Sequence, residues 1–268
     1  MLRTITAGAR RFTLREEGTG EPVLLVHAFP LSAGMWEPQL ALPPSGWHFL
    51  APDLRGLGRS SHLSGATSVE AHAEDLVALF DALAIDRAVI VGLSMGGYVT
   101  LALLRAAPER VRALVLCDTR ADADSDEARA NRQRLREQLR EGGPAAVADA
   151  MVPRLVGPTT ARERPDVLTR VRGLIEANGA RGIDDAIVTL MGRPDRTPWL
   201  ARIDVPTLLV VGEEDALTPV ALHERMRQQI RGARLAVIPH AGHLSNLERP
   251  EAFNETLGAF LQGLGGEC

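Results

Sequence analysis

Short runs rich in Val, Ile and Leu recur along the chain at residues 23–27, 88–92, 111–116, 207–211 and 235–238. Each is strand-sized and nearly continuous in apolar character, which predicts a strand buried on both faces. Strands of that kind belong to a parallel sheet covered by helices. Patterns at helical spacing fill the intervals, over 68–83, 96–107, 220–230 and 246–261. Residues 47–51 form a shorter strand candidate, and residues 11–16 an earlier, antiparallel one. The fold class that follows is α/β.

Between residues 119 and 198 the texture changes. The strand signal disappears, and charged helical stretches take over at 126–141 and 165–178. This insertion is much longer than a usual crossover. It reads as a helical cap (119–198) between a first part of the core (1–118) and a second (199–268). The plainer alternative is that these helices simply cover one face of the sheet. Met151, Leu155, Leu190 and Met191 are apolar positions there that suit either a pocket wall or ordinary helix core.

Composition narrows the chemistry. With 45% hydrophobic and 24% charged residues the chain is that of an ordinary globular protein. A net charge of -4 gives no reason to expect nucleic acid or anionic lipid as a partner. All 30 basic residues are Arg, so chemistry on a lysine amine is excluded. Cys117 and Cys268 lack metal-ligand spacing and make no disulfide framework, and no His and carboxylate cluster has ligand spacing. Neither a metal nor an organic cofactor is expected. The opening stretch has no apolar segment of signal-peptide length and no run approaches 18 apolar residues, so a cytoplasmic protein without a membrane partner is expected, as monomer or homodimer.

The strand at 88–92 runs directly into Gly92-Leu93-Ser94-Met95-Gly96-Gly97, and a helix follows. A serine on such a turn is presented at the strand end, and small residues two positions to either side let the backbone turn without a Cβ clash. The string alone is weak; its setting between strand and helix supplies the specificity. A serine hydroxyl needs a base to take its proton and an acid to orient that base. After such an elbow these follow in the order acid, then histidine.

Only His223, His240 and His243 follow Ser94. His243 lies in a loop just past the last strand run and is the best base candidate. His223 falls in a helical pattern and is expected at the surface, and His240 suits a structural hydrogen-bonding role. For the acid, Asp215 stands in the loop after the strand at 207–211, with Glu213 and Glu214 as close rivals and Asp118 as a more distant one. Donors for a developing oxyanion would be the N–H of Met95, beside the serine at a helix start, and that of Phe29 in His27-Ala28-Phe29-Pro30, since Pro30 has no N–H.

The blocks VLLVHAFP, APDLRGLGRS, VGLSMGGY, ERVRALVLCDTRAD, VPTLLVVGEEDALTP and IPHAGHLSNLERPEAF, in this order, resemble the α/β-hydrolase superfamily. The resemblance implies a mostly parallel, doubly wound sheet of about eight strands with an inserted helical cap. It also implies Ser94, Asp215 and His243 as a catalytic triad, Phe29 and Met95 as oxyanion donors, and Asp53, Arg55, Gly56 and Gly58 as a structural loop. GLSMGG, DTRAD and GHLSNLERPEAFN are similar to 3-oxoadipate enol-lactonases and nearby bacterial carboxylesterases. A small ester or lactone is therefore the expected substrate. Cofactor-free haloperoxidases and perhydrolases share the triad, and some members of the superfamily are non-catalytic receptors. Ser94 in place of a carboxylate argues against haloalkane dehalogenases and epoxide hydrolases.

Overall fold

Four of the five apolar runs become central strands of one eight-stranded sheet in the computed structural model, which describes residues 1–62 and 67–265. The run at 235–238, expected to be buried on both faces, is an edge strand paired on one side only, and Ile238 is its one buried residue. Cys268 lies outside the described residues. The strands are β1 (Leu2–Ala7), β2 (Arg10–Gly18), β3 (Glu21–Val26), β4 (Trp47–Pro52), β5 (Ala88–Leu93), β6 (Val111–Cys117), β7 (Thr207–Gly212) and β8 (Arg234–Ile238). Their spatial order is β1-β2-β4-β3-β5-β6-β7-β8. Pairings that involve β2 are antiparallel, and all others are parallel. Every residue of β5 and of β7 is buried, as continuous apolar runs require.

β1 was not expected. It is an edge strand, paired on one side only, and of its six residues only Ile5 is buried, so no apolar run marks it.

Flanking helices are α1 (Glu37–Leu40), α2 (Val69–Leu83), α3 (Met95–Ala106), α4 (Asp126–Leu155), α5 (Pro158–Glu163), α6 (Pro165–Glu176), α7 (Ala180–Gly192), α8 (Val220–Gln229), α9 (Ser245–Glu248) and α10 (Pro250–Leu264). Ser68 and Ser125 cap α2 and α4, accepting from the amides of Ala71 and Ala128 at 3.1 and 3.2 Å. α4 breaks at Gly143, where φ is 66°. The single helix expected over 246–261 is two helices. Pro250 has no N–H to continue α9, and Arg249 before it is forced out of helical torsions to φ −135°. None of the described helices is long and apolar enough to cross a membrane.

The chain leaves β3 for β4 on one side and later returns to β5 on the other. The carboxyl ends of β3 and β5 therefore flank a topological switch point, where parallel sheets place their ligand crevices. The buried faces of the sheet and of α2, α3 and α10 share one hydrophobic core that includes Leu24, Val91, Leu101, Phe80 and Phe253. Each such side chain contributes roughly 1.5–3 kcal/mol by leaving water.

Candidate active site

β5 ends at Leu93, and the next residue turns sharply into α3. Ser94 sits at φ 53°, ψ −113°, outside the torsions most side chains accept. Its N–H donates to Cys117 O at 2.9 Å, and its carbonyl accepts from Thr119 Oγ1 at 2.8 Å and Gly97 N at 2.9 Å. The flanking glycines are required by close approach: a Cβ on Gly96 would collide with Val26 O, and one on Gly92 with Thr100 Oγ1.

The loop after β8 brings His243 to this turn. His243 Nε2 lies 2.8 Å from Ser94 Oγ, and Nδ1 lies 2.8 Å from Asp215 Oδ2. A carboxylate can only accept, so Nδ1 carries the proton and donates to Asp215, leaving Nε2 to accept from the serine hydroxyl. Asp215, three residues past β7, is itself held on every side. Oδ1 accepts from the amides of Leu217 and Thr218 at 2.8 and 2.9 Å, and Oδ2 also accepts from Thr218 Oγ1 at 2.5 Å.

These contacts set the charges. Burial opposes ionisation of Asp215, but the His243 charge and the donors from His243 and Thr218 outweigh it and hold the carboxyl well below its ordinary range. Burial likewise opposes protonation of His243. The Asp215 charge, its hydrogen bond and the more distant Asp118 prevail, and imidazolium persists above the ordinary histidine value.

Of the rival acids, Asp118 is buried directly after β6 and accepts from Gly212 N at 2.8 Å and Ser245 Oγ at 2.5 Å. Burial and the Asp215 charge push its pKa well up. It ties two site loops together without touching His243. Glu213 accepts from His240 N at 3.1 Å, and Glu214 grips the amide of Thr159 at 2.9 Å as well as its hydroxyl.

A cavity of about 450 Å³ opens over the serine, lined by Phe29, Ser94, Thr218 and His243 from the core and by residues of α4 and α7. Met151, Leu155 and Leu190 line it; Met191 does not. Phe29 lies in the loop three residues past β3, and Met95 opens α3 two residues past β5. The Ala28 amide is engaged with Met35 Sδ at 3.2 Å, and the Met95 amide is in the first turn of α3, where no intrahelical acceptor exists.

This geometry agrees with a family match. A family model described as the alpha/beta hydrolase fold matches residues 21–250. The chain belongs to the alpha/beta hydrolase family. This alpha/beta hydrolase is 38% identical to a thermophilic esterase from Thermogutta terrifontis, solved with malate bound, over 98% of this chain and 99% of that one, with a TM-score of 0.93. An enol-lactonase from Burkholderia xenovorans LB400 is 29% identical over 97% of this chain and 100% of that one, with a TM-score of 0.89. Among curated proteins, a relative named for carbamate hydrolysis, RutD of Azorhizobium caulinodans, is 32% identical over 91% of this chain and 92% of its own length.

Several residues around the hydrolase site were not legible as such. His223, expected at the surface, is fully buried: its Nε2 accepts from Thr119 N at 3.2 Å, and burial lowers its pKa to about 4. The helical pattern of α8 did not distinguish its buried face. His240 is exposed at a left-handed turn (φ 56°), where its backbone N–H is bound by Glu213. Thr218 and Ser245 hold the two carboxylates; the only signal for Thr218 was its place in the Thr-Pro start of α8. Asn178 bridges the helical segment to the core, donating to Pro30 O at 2.8 Å and accepting from Gly58 N at 2.6 Å. The expected structural loop is one: Asp53 accepts from Ala33 N at 2.8 Å and Arg59 N at 2.9 Å, and Arg55 makes a bidentate pair with Asp75, both contacts 2.7 Å.

Proposed function

We propose that this hydrolase cleaves small to medium carboxylic esters through an acyl-enzyme on Ser94. The observation that carries the proposal is the hydrogen-bonded chain from Ser94 Oγ through both ring nitrogens of His243 to Asp215, facing a cavity. His243 Nε2 takes the hydroxyl proton as Ser94 Oγ bonds to the carbonyl carbon. The oxyanion formed is held by the Phe29 and Met95 amides, the second aided by the α3 dipole. The tetrahedral species collapses, the alcohol leaves with the proton from His243, and water repeats the sequence to release the acid. Asp215 fixes the tautomer and stabilises the imidazolium. Residues 119–198 act as a cap that bounds the pocket, which favours short acyl chains over lipid surfaces.

The test is a series of p-nitrophenyl esters from acetate upward, with 3-oxoadipate enol-lactone beside it. Ser94→Ala is expected to lower kcat by about three powers of ten or more while the protein stays folded, and Asp215→Asn by a similar order. Near-native turnover by purified Ser94→Ala overturns the proposal. A preference for the lactone of about a hundredfold, equal to about 2.7 kcal/mol of transition-state stabilisation, makes the chain an enol-lactonase instead.

A further inference from the structure

The strained turn at Ser94 is gripped from one short segment, the end of β6 and the two residues after it. Ser94 N–H donates to Cys117 O at 2.9 Å, and Thr119 Oγ1 donates to Ser94 O at 2.8 Å. The two peptide groups that flank the serine Cα are thus tied to residues on either side of Asp118, itself at a left-handed φ of 44°. Asp118 is fixed by β7: its N–H donates to Val210 O and its carboxyl accepts from Gly212 N, both at 2.8 Å. Thr119 is fixed differently. Its N–H donates to Nε2 of His223 at 3.2 Å and has no backbone acceptor among the described residues.

His223, in the first turn of α8, and Thr119 are both fully buried, and neither lines the cavity over Ser94. Because Nε2 accepts, the ring proton is on Nδ1, which faces Pro219 O at 3.5 Å. Pro219 follows Thr218, whose N–H and hydroxyl both hold Asp215. One imidazole thereby spans the loop of the acid and the segment that grips the nucleophile. Burial lowers its pKa to about 4, so Nε2 is an acceptor at neutral pH. A buried N–H without its acceptor is costly, so the ring fixes the position of Thr119 and not merely its surroundings.

We infer that His223 is a positioning residue, which through Thr119 holds the Ser94 turn in the orientation that His243 requires and takes no part in proton transfer. The role rests on Ser94 being the nucleophile. Its test is hydrolysis of p-nitrophenyl butyrate at pH 7.5 by wild type and variants. His223→Leu removes the acceptor and is expected to lower kcat about tenfold, with KM changed less than about twofold. His223→Gln, whose Oε1 can take the Thr119 N–H, restores most of the loss. Thr119→Val cuts the other end of the strut by removing the donor to Ser94 O. It is expected to cost a similar factor, which Thr119→Ser restores. Both changes act through one hydrogen-bonded path, so the double variant loses no more than the larger single loss.

Phosphonylation of Ser94 by a fluorophosphonate, with loss of fluoride, is slowed in the same order and depends on no particular ester; mass spectrometry follows it. Unchanged kcat in folded His223→Leu overturns the positioning role and leaves the hydrolase intact. Where that variant does not fold, unchanged kcat in Thr119→Val does the same. Losses that multiply in the double variant, or that Gln and Ser fail to restore, also overturn it. Wild-type protein that neither hydrolyses the ester nor is labelled at Ser94 overturns the hydrolytic reading, and the positioning role with it.

Discussion

Ser94 occupies a torsion that costs on the order of 1–3 kcal/mol, which four hydrogen bonds to its backbone and the close-packed glycines around it offset. In return its hydroxyl is within reach of an imidazole whose charge is tuned by its neighbours. On the proposed mechanism, the raised folded pKa of His243 means that protonation disables it as a base over a wider range than for a free histidine. Thus kcat/KM on a neutral ester is expected to rise with pH through a midpoint above about 6.5. Asp215→Asn removes the charge that opposes burial, so the residual activity should titrate at lower pH. A wild-type midpoint below that value, or one unmoved by Asp215→Asn, contradicts this electrostatic assignment. Ser94, His243 and Asp215 were legible because each follows an apolar strand run and has the chemistry its neighbour lacks. Thr218, Ser245 and Asn178 were not, because an uncharged hydrogen-bonding side chain declares its role only when its partner arrives.

At the scale of elements, α9 and the start of α5 meet over the histidine loop. The buried carboxylate of Glu248 accepts from Leu244 N at 3.1 Å and from Gly157 N at 2.9 Å, fastening the helical segment to the loop that carries His243. Glu214 makes a second fastening through Thr159. Glu248→Ala leaves two buried amides without an acceptor and is expected to lower the stability to urea by about 3 kcal/mol, with Glu248→Gln losing less because one acceptor oxygen remains. An unchanged unfolding midpoint for Glu248→Ala means that water replaces the carboxylate. Central strands were legible from their continuous apolar runs, and α2, α3, α6 and α8 from helical spacing, whereas α7 was not among the expected helices. β1 was not, since an edge strand with one buried residue leaves no apolar signature, and the division of α9 from α10 turns on how one proline meets the preceding residue.

For the whole molecule, His72 and His223 are buried and their pKa values fall to about 4, burial being the main cause. The unfolded chain binds these protons at about 6.5, so the stability they contribute is full above that pH and is lost as pH falls toward 4. Each withdraws about 3 kcal/mol across that window, while His243, with its raised value, acts in the opposite sense. Urea unfolding at pH 7.0 and 4.5 is expected to show a smaller acid loss in His72→Leu, whose ring nitrogens have no partners among the described residues; an equal loss would assign the effect elsewhere. The sequence by itself determined the sheet's four central strands and the turn that presents Ser94, because strand burial on both faces and a glycine-flanked serine each leave a local imprint of residue type. Only the tertiary structure decided which histidines are buried, and that arginines from three separate segments line one cavity together with Asp124. Those outcomes depend on distances between residues far apart in the chain, and spacing along a sequence does not encode such distances until the sheet brings its loop ends together.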